Sequence, residues 1–264
     1  MKDLSISLVQ TSLLWQQPEA NCTHIHKVLI DKNVSSDLII LPEMFNSGFT
    51  LDATKVAESM EGNTVTWMKQ VATEFDAAVT GSLVIRENDQ NFNRMVIAFP
   101  DGSLEWYDKK HLFRMANEQQ RYASGDKRVI VNWRDWRIAL YVCYDLRFPV
   151  WCRNQNDTDL MIFVASWPAA RAYPWQILLR ARAMENLCYV AGVNRIGTDA
   201  NDIGYQGNSA VVDLAGYDIC QLDDSDTVET VTLSADKLIR FREKFPAHLD
   251  ADSFRIDSEL YTSG

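Results

Sequence analysis

The sequence predicts an α/β chain, or α+β in looser terms, in which two mixed β-sheets pack together with helices outside them in one domain. Short apolar runs alternate with stretches whose apolar residues recur at helical spacing, the pattern of a layered α/β fold. Several runs are continuously apolar, as strands buried on both faces are, while others alternate as hairpin strands do. No G-x-G-x-x-G or G-x-x-x-x-G-K loop is present, and the βα alternation is too irregular for a simple doubly wound sheet.

The elements follow in order. LSISLVQ (4–10) reads as a strand, and Cys22, Ile25 and Leu29 give 18–31 one helical stripe. DLIILPE (37–43) returns as a buried strand, and Val65, Met68, Ala72 and Phe75 mark the next helix. AAVTGSLVIR and RMVIAFPDGSLEWYDK supply strands, with Asp101-Gly102 as a hairpin turn. RVIVNWRDWRIALYVC reads as a second hairpin and DLMIFVASW (159–167) as a strand. A helix is expected over 173–187, with Tyr173, Ile177, Ala181, Met184 and Cys188 along its apolar face. CYVAGVNRI, GNSAVVDL and DTVETVTLSA complete the strands. Residues 1–245 are expected to form the domain, and the polar 246–264 a tail on the surface or on another subunit.

The formal net charge of −10 argues against nucleic acid as a partner, because phosphate binding requires a basic surface. No apolar run approaches the length of a membrane span, and the alternating, Asp3-bearing start does not read as a signal peptide. The chain is therefore expected to be cytoplasmic, with no membrane partner. Its five cysteines are odd in number and lack C-x-x-C spacing, and the four histidines form no ligand pattern, so no metal is expected.

Three strand ends carry reactive groups. Glu43 follows an apolar run that Pro42 interrupts, Lys109 to His111 close LEWYDKKHLF, and Cys143 closes IALYVC. Active-site side chains of α/β proteins project from the carboxyl ends of strands. A thiol is mostly protonated near neutral pH and needs a base or a positive field to act as nucleophile. A partly buried Glu43 can accept that proton and later pass it to a leaving amine. A lysine ammonium, with the backbone N–H of Tyr144, can stabilise a tetrahedral oxyanion. The trio supports acyl transfer through a thioester with no cofactor. Each residue also has a plainer role: Cys143 in packing, Glu43 in a cap or ion pair, the lysines as a solvated basic pair.

LPEMF, YDKKHLF and CYDLRFP together resemble the glutamate, lysine and cysteine motifs of the nitrilase superfamily of carbon–nitrogen hydrolases, in the same order and at similar separations. The resemblance spans nearly the whole chain. Within the superfamily, YDKKHLFRMANEQQRYASG and ASWPAARAYPWQILLRARAMEN are similar to the omega-amidases, which hydrolyse 2-oxoglutaramate and 2-oxosuccinamate. The resemblance implies a four-layer α-β-β-α sandwich, a homodimer or larger assembly joined through the sandwich faces, and a small keto acid amide as substrate. It implies Glu43 as general base, Lys109 as the catalytic lysine, Cys143 as nucleophile and Glu118 as the glutamate that orients the lysine. It makes His111 structural, although a strand running on past Lys109 would turn both side chains to one face.

Alternatives on the same triad are a nitrile, an N-carbamoyl amine or another short amide; a different class is a non-catalytic thiol sensor. Only three residues separate Cys143 from Arg147, too few for the phosphate loop of cysteine phosphatases, so Arg147 is expected to pair with a carboxylate and stiffen the turn. A substrate carboxylate wants an arginine. Arg171 is the first candidate and Arg114 the second, while Trp167, Phe45 and Phe49 are candidate walls. Arg182 has Glu185 three positions on, which suits an ion pair.

Overall fold

Glu43, Lys109 and Cys143 each lie just past the end of a β-strand, and the sheet architecture explains how those ends meet. The computed structural model describes residues 1–256. The strands are β1 (Leu4–Gln10), β2 (Leu38–Ile40), β3 (Ala78–Glu87), β4 (Gln90–Ala98), β5 (Leu104–Asp108), β6 (Ile130–Trp133), β7 (Trp136–Val142) and β8 (Leu160–Ala165), then β9 (Tyr189–Asn194), β10 (Ile196–Thr198), β11 (Gly204–Gln206), β12 (Ala210–Val212), β13 (Asp218–Gln221) and β14 (Thr227–Leu233). The helices are α1 (Pro18–Asp31), α2 (Ala53–Val56), α3 (Asn63–Phe75), α4 (Ala172–Asn186) and α5 (Ala235–Lys244).

Two six-stranded sheets form, in the orders β14-β1-β2-β3-β4-β5 and β13-β12-β9-β8-β7-β6, with β10 and β11 as a separate ribbon. Both are mixed: β1-β2-β3 and β7-β8-β9 run parallel, and their flanking strands are antiparallel. The sequence predicted this mixture. Leu4, Ile6, Leu38, Ile40 and Ile97 of the first sheet share one buried cluster with Ile138, Leu140, Ile162 and Val190 of the second. The opposite face of the first sheet packs Ile39, Val79 and Val96 against Ile25 and Leu29 of α1 and Met68 and Ala72 of α3. Gly192 of β9 lets α4 approach, since a Cβ there would lie 2.6 Å from Leu179 and 2.8 Å from Trp175. The result is the α-β-β-α sandwich of a single domain. Among the described residues no helix is long and apolar enough to cross a membrane.

Both expected hairpins form. Gly102, at φ +83°, turns β4 into β5, and Arg134-Asp135, at φ 47° and 66°, turns β6 into β7. The face assigned to α4 is corrected. Tyr173, Ile177 and Met184 are 74%, 46% and 48% exposed, while Trp175, Leu179, Arg182, Ala183 and Asn186 face the core. The inward side tolerates Arg182 because its guanidinium donates to the Leu146 carbonyl (2.7 Å) and pairs with Glu185 (2.8 Å). Asn186 likewise accepts from Asn154 N and donates to the Arg182 carbonyl. Apolar periodicity thus selected the outer side, because the inner polar groups are satisfied in ways that spacing does not encode. The tail has a 3-10 turn at Ala247–Asp250, and residues 257–264 of the tail lie outside the described residues.

Candidate active site

Glu43 stands beyond the end of β2, where Leu41 N still bonds Thr80 O before the chain turns at Met44 (φ +46°). Its Oε1 accepts from Lys109 Nζ at 2.9 Å and from Asn93 Nδ2 at 2.8 Å, and its Oε2 from Ser166 N at 2.8 Å. Lys109 follows β5 directly, and its Nζ also reaches both oxygens of Glu118, at 3.0 and 2.9 Å. Glu118 opens a 3-10 turn behind Asn117 (φ +59°) and accepts from Phe113 N at 2.6 Å. All three side chains are buried. One ammonium therefore lies between two carboxylates, and every oxygen of the pair has a donor.

Cys143 begins the 3-10 turn Cys143–Arg147 at the end of β7 and has φ +46°. A residue with a Cβ in that region is strained, and such strain is sustained only where neighbouring structure fixes it. Here Asp145 does so. Its carboxylate accepts from Val142 N (3.1 Å), Tyr107 Oη (2.8 Å), His111 N (2.9 Å) and His111 Nδ1 (2.8 Å). His111 is thus committed to Asp145 and stacked on Phe148 (3.6 Å between centroids). β5 ends before Lys109, so the two side chains part company.

The electrostatics follow from burial. Burial pushes the Cys143 thiol well above its usual value, the Glu43 charge adds to this, and Lys109 opposes it. Burial alone would lower the Lys109 value, but the Glu118 and Glu43 charges outweigh it and raise it. Burial raises Glu118 against the pull of Lys109. The resting site is a protonated thiol held high by burial and the Glu43 charge, beside a charged ammonium. Proton transfer from sulfur to carboxylate can accompany attack, with the ammonium poised for a developing oxyanion. Tyr144 N–H sits in the first turn of the 3-10 segment, among the amides a helix leaves without an internal acceptor.

These groups open onto a cavity of about 80 Å3, also lined by Phe49, Phe113, Tyr144, Arg147, Trp167, Arg171 and Tyr205. Of the expected binding residues, Tyr144, Trp167 and Arg171 line it, as does Phe49. Phe45 does not. It is buried behind the site against Trp67 and close to Gly81, because the backbone reverses at Met44 and sends it into the core between sheet and α3. Arg114 lies on the exposed side of its turn. Arg147 also departs from expectation: it lies over the Trp167 ring (4.9 Å) rather than beside a carboxylate. A larger surface groove of about 830 Å3 lies elsewhere, between the starts of α1 and α3, where Glu58 caps Thr64 N. Among the described residues no cluster of three or more His, Cys, Asp or Glu could hold a metal ion.

Sequence reasoning missed Asn93 and the Ser166 amide. Asn93 had a faint signal, a polar residue that precedes Arg94 and the unbroken apolar run MVIAF (95–99). The Ser166 amide had none, since every residue carries one.

Comparison with known proteins places the chain in a family. The family model described as carbon-nitrogen hydrolase matches residues 5–243. Omega-amidase YafV of Escherichia coli (strain K12) is 45% identical over 257 residues, covering 97% of this chain and 100% of that protein. The 2-oxoglutaramate amidase of Bacillus subtilis (strain 168) is 26% identical, covering 97% and 99%. The crystal structure of XC1258 from Xanthomonas campestris, a CN-hydrolase superfamily protein with an arsenic adduct in its active site, superposes with a TM-score of 0.95 at 49% identity, covering 97% of this chain and 100% of that one. With the sandwich, the strand-end cluster and a match over nearly its full length, the chain belongs to the carbon–nitrogen hydrolase family and is a hydrolase of C–N bonds.

Proposed function

We propose that this hydrolase removes the ω-amide of small 2-oxo dicarboxylic acid monoamides, 2-oxoglutaramate and 2-oxosuccinamate, giving the acid and ammonia. The carrying observation is a buried carboxylate–ammonium–carboxylate cluster that shares with the Cys143 thiol a cavity of about 80 Å3, which two arginines also line. Relatives named for this activity support the substrate class. Nitriles, N-carbamoyl amines and neutral amides suit the same triad, but arginines in so small a cavity favour a substrate that carries a carboxylate.

In this reading Glu43 takes the Cys143 proton as sulfur attacks the amide carbon. Lys109, oriented by Glu118, and the Tyr144 N–H hold the oxyanion. Protonated Glu43 then gives its proton to the departing nitrogen, the C–N bond breaks, and ammonia leaves a thioester on Cys143. Glu43 next takes a proton from water, which attacks the thioester. The acid departs and the proton returns to sulfur. No step calls for a cofactor or a metal.

Residues 1–245 form the hydrolase domain in this reading, with the described part of the tail, 246–256, on the surface or a neighbouring subunit. The exposed Tyr173, Ile177 and Met184 of α4, with Tyr217 nearby, favour a homodimer joined through that outer face. We also take the enzyme to be cytoplasmic, since its thiols are all free.

Ammonia release from 2-oxoglutaramate, 2-oxosuccinamate, simple nitriles and N-carbamoyl amino acids tests the substrate. Fast turnover of the keto acid amides is expected, with an acyl adduct on Cys143 after rapid quenching. Turnover of nitriles without turnover of keto acid amides overturns the proposal, and reversible thiol oxidation without an adduct points to a sensor.

A further inference from the structure

The groove of about 830 Å3 at the starts of α1 and α3 shares no lining residue with the catalytic cavity. Glu58 and Thr64 line it, with Asn46 bonded to both. Gly62 makes room for the Glu58 carboxylate, since a Cβ there would lie 2.1 Å from Oε2. Oε2 accepts from Thr64 N at 2.9 Å. Among the described residues Oε1 meets one donor, Asn46 Nδ2, at a long 3.4 Å. That amide nitrogen also donates to Thr64 Oγ1 at 3.0 Å. Asn46 is 1% exposed, and its Oδ1 has no donor at all. Two acceptor oxygens of one cluster are thus short of N–H groups, where buried polar atoms are normally paired.

The charges in the groove point the same way. Among the described residues no cation pairs with Glu58, and burial holds its carboxyl above the usual value. The other charged lining residues are Glu19 and Lys55, and Lys55 pairs with Asp52 at 3.1 Å. The Trp67 ring, backed by Phe45 at 5.7 Å between centroids, offers a π-face of the kind that attracts cations. An anion is poorly served by the two helix starts, because Glu58 already takes an amide of α3 and α1 opens on Pro18, which has no N–H.

We propose that this groove is a second ligand site, separate from the catalytic cavity, and that it takes a small primary amine in its ammonium form. The –NH3+ group donates to Glu58 Oε1 and Asn46 Oδ1, a charge-assisted contact, while the apolar body lies against Trp67. The site involves none of Glu43, Lys109, Glu118 and Cys143, so it does not depend on the substrate of the hydrolase.

The test follows the indole N–H resonance of Trp67 by NMR, identified by its loss in Trp67→Phe. Titration of the wild type with n-butylammonium is expected to move it along a saturable curve, while n-butanol and butyrate at equal concentration leave it in place. Glu58→Gln keeps a carbonyl oxygen for Thr64 N but removes the charge. The butylammonium concentration for half-saturation should then rise about tenfold or more. The other indole resonances should keep their wild-type positions, which shows that the variant is folded. A resonance that butylammonium does not move overturns the inference, as does equal half-saturation in Glu58→Gln and wild type. A response to butanol or butyrate as large as that to butylammonium overturns it too, and this comparison on the wild type decides the matter even if Glu58→Gln fails to fold. Turnover of 2-oxoglutaramate is scored separately and bears on the proposed function alone.

Discussion

Asn93 Nδ2 lies 2.8 Å from Glu43 Oε1, the same oxygen that Lys109 Nζ approaches at 2.9 Å. A neutral donor and a charged one thus share one oxygen, which fixes the carboxylate plane and leaves Oε2 to the Ser166 amide. Asn93 reaches Glu118 Oε1 as well, at 3.4 Å, so it also spaces the two acids. Asn93→Ala should lower kcat/KM by about 10- to 100-fold, the loss expected for one buried hydrogen bond to a charged group. Steady-state kinetics beside a melting curve would check this. Wild-type activity in the variant would remove Asn93 from the site.

Lys109→Ala should abolish turnover and also weaken the fold. It leaves Glu43 and Glu118 buried with no countercharge, a loss of about 3–5 kcal/mol. The melting temperature should fall by on the order of 10 °C near neutral pH. Acidification should recover part of the loss, because protonating one carboxylate removes the repulsion. Calorimetry across pH would read the effect, and an unchanged melting temperature would contradict the paired-charge description.

Because burial and then the Glu43 charge hold the Cys143 thiol high, alkylation by iodoacetamide should be slow at neutral pH. Its rate should climb about tenfold per pH unit through pH 9 without levelling. Glu43→Gln removes one upward influence on the thiol, so at a given pH it should label faster than the wild type while losing hydrolysis. A plateau below about pH 8 would show a thiolate at rest, contrary to this electrostatic picture.

The backbone of Cys143, at φ +46°, stores strain that glycine would not feel. Cys143→Gly should therefore melt higher than Cys143→Ala, by about 1 kcal/mol, although it buries less surface. Denaturant titration of the two inactive variants compares them directly. The reverse order would mean that the turn relaxes without its side chain.

If the outer face of α4 joins two subunits, Ile177→Glu combined with Met184→Glu should shift sedimentation from dimer toward monomer while preserving helix content. Both positions are exposed in the single chain, so the charges should leave the isolated fold intact. A wild type that sediments as a monomer would remove the dimer from the proposal.

Much of this protein is written locally. β1, α1, α3, both hairpins and the buried strands follow from apolar spacing and from turns such as Asp101-Gly102, because those preferences act over a few residues. Glu43, Lys109 and Cys143 were legible as reactive groups at strand ends, and the resemblance in their motifs joined them.

What the chain could not reveal alone depended on contacts across the fold. The inward face of α4 turned on Arg182 finding the Leu146 carbonyl, and Phe45 was taken from the cavity by a reversal at Met44. Arg147 found an indole where a carboxylate was expected, and Asn93 and the Ser166 amide entered the site from strands far along the sequence. Sequence alone determined the layers and the reactive trio, since periodicity and strand ends are properties of neighbouring residues. Tertiary structure alone decided which charges are shared, which are stacked and which face the cavity, since the energy of a buried polar group is set by partners that the chain brings near only when folded.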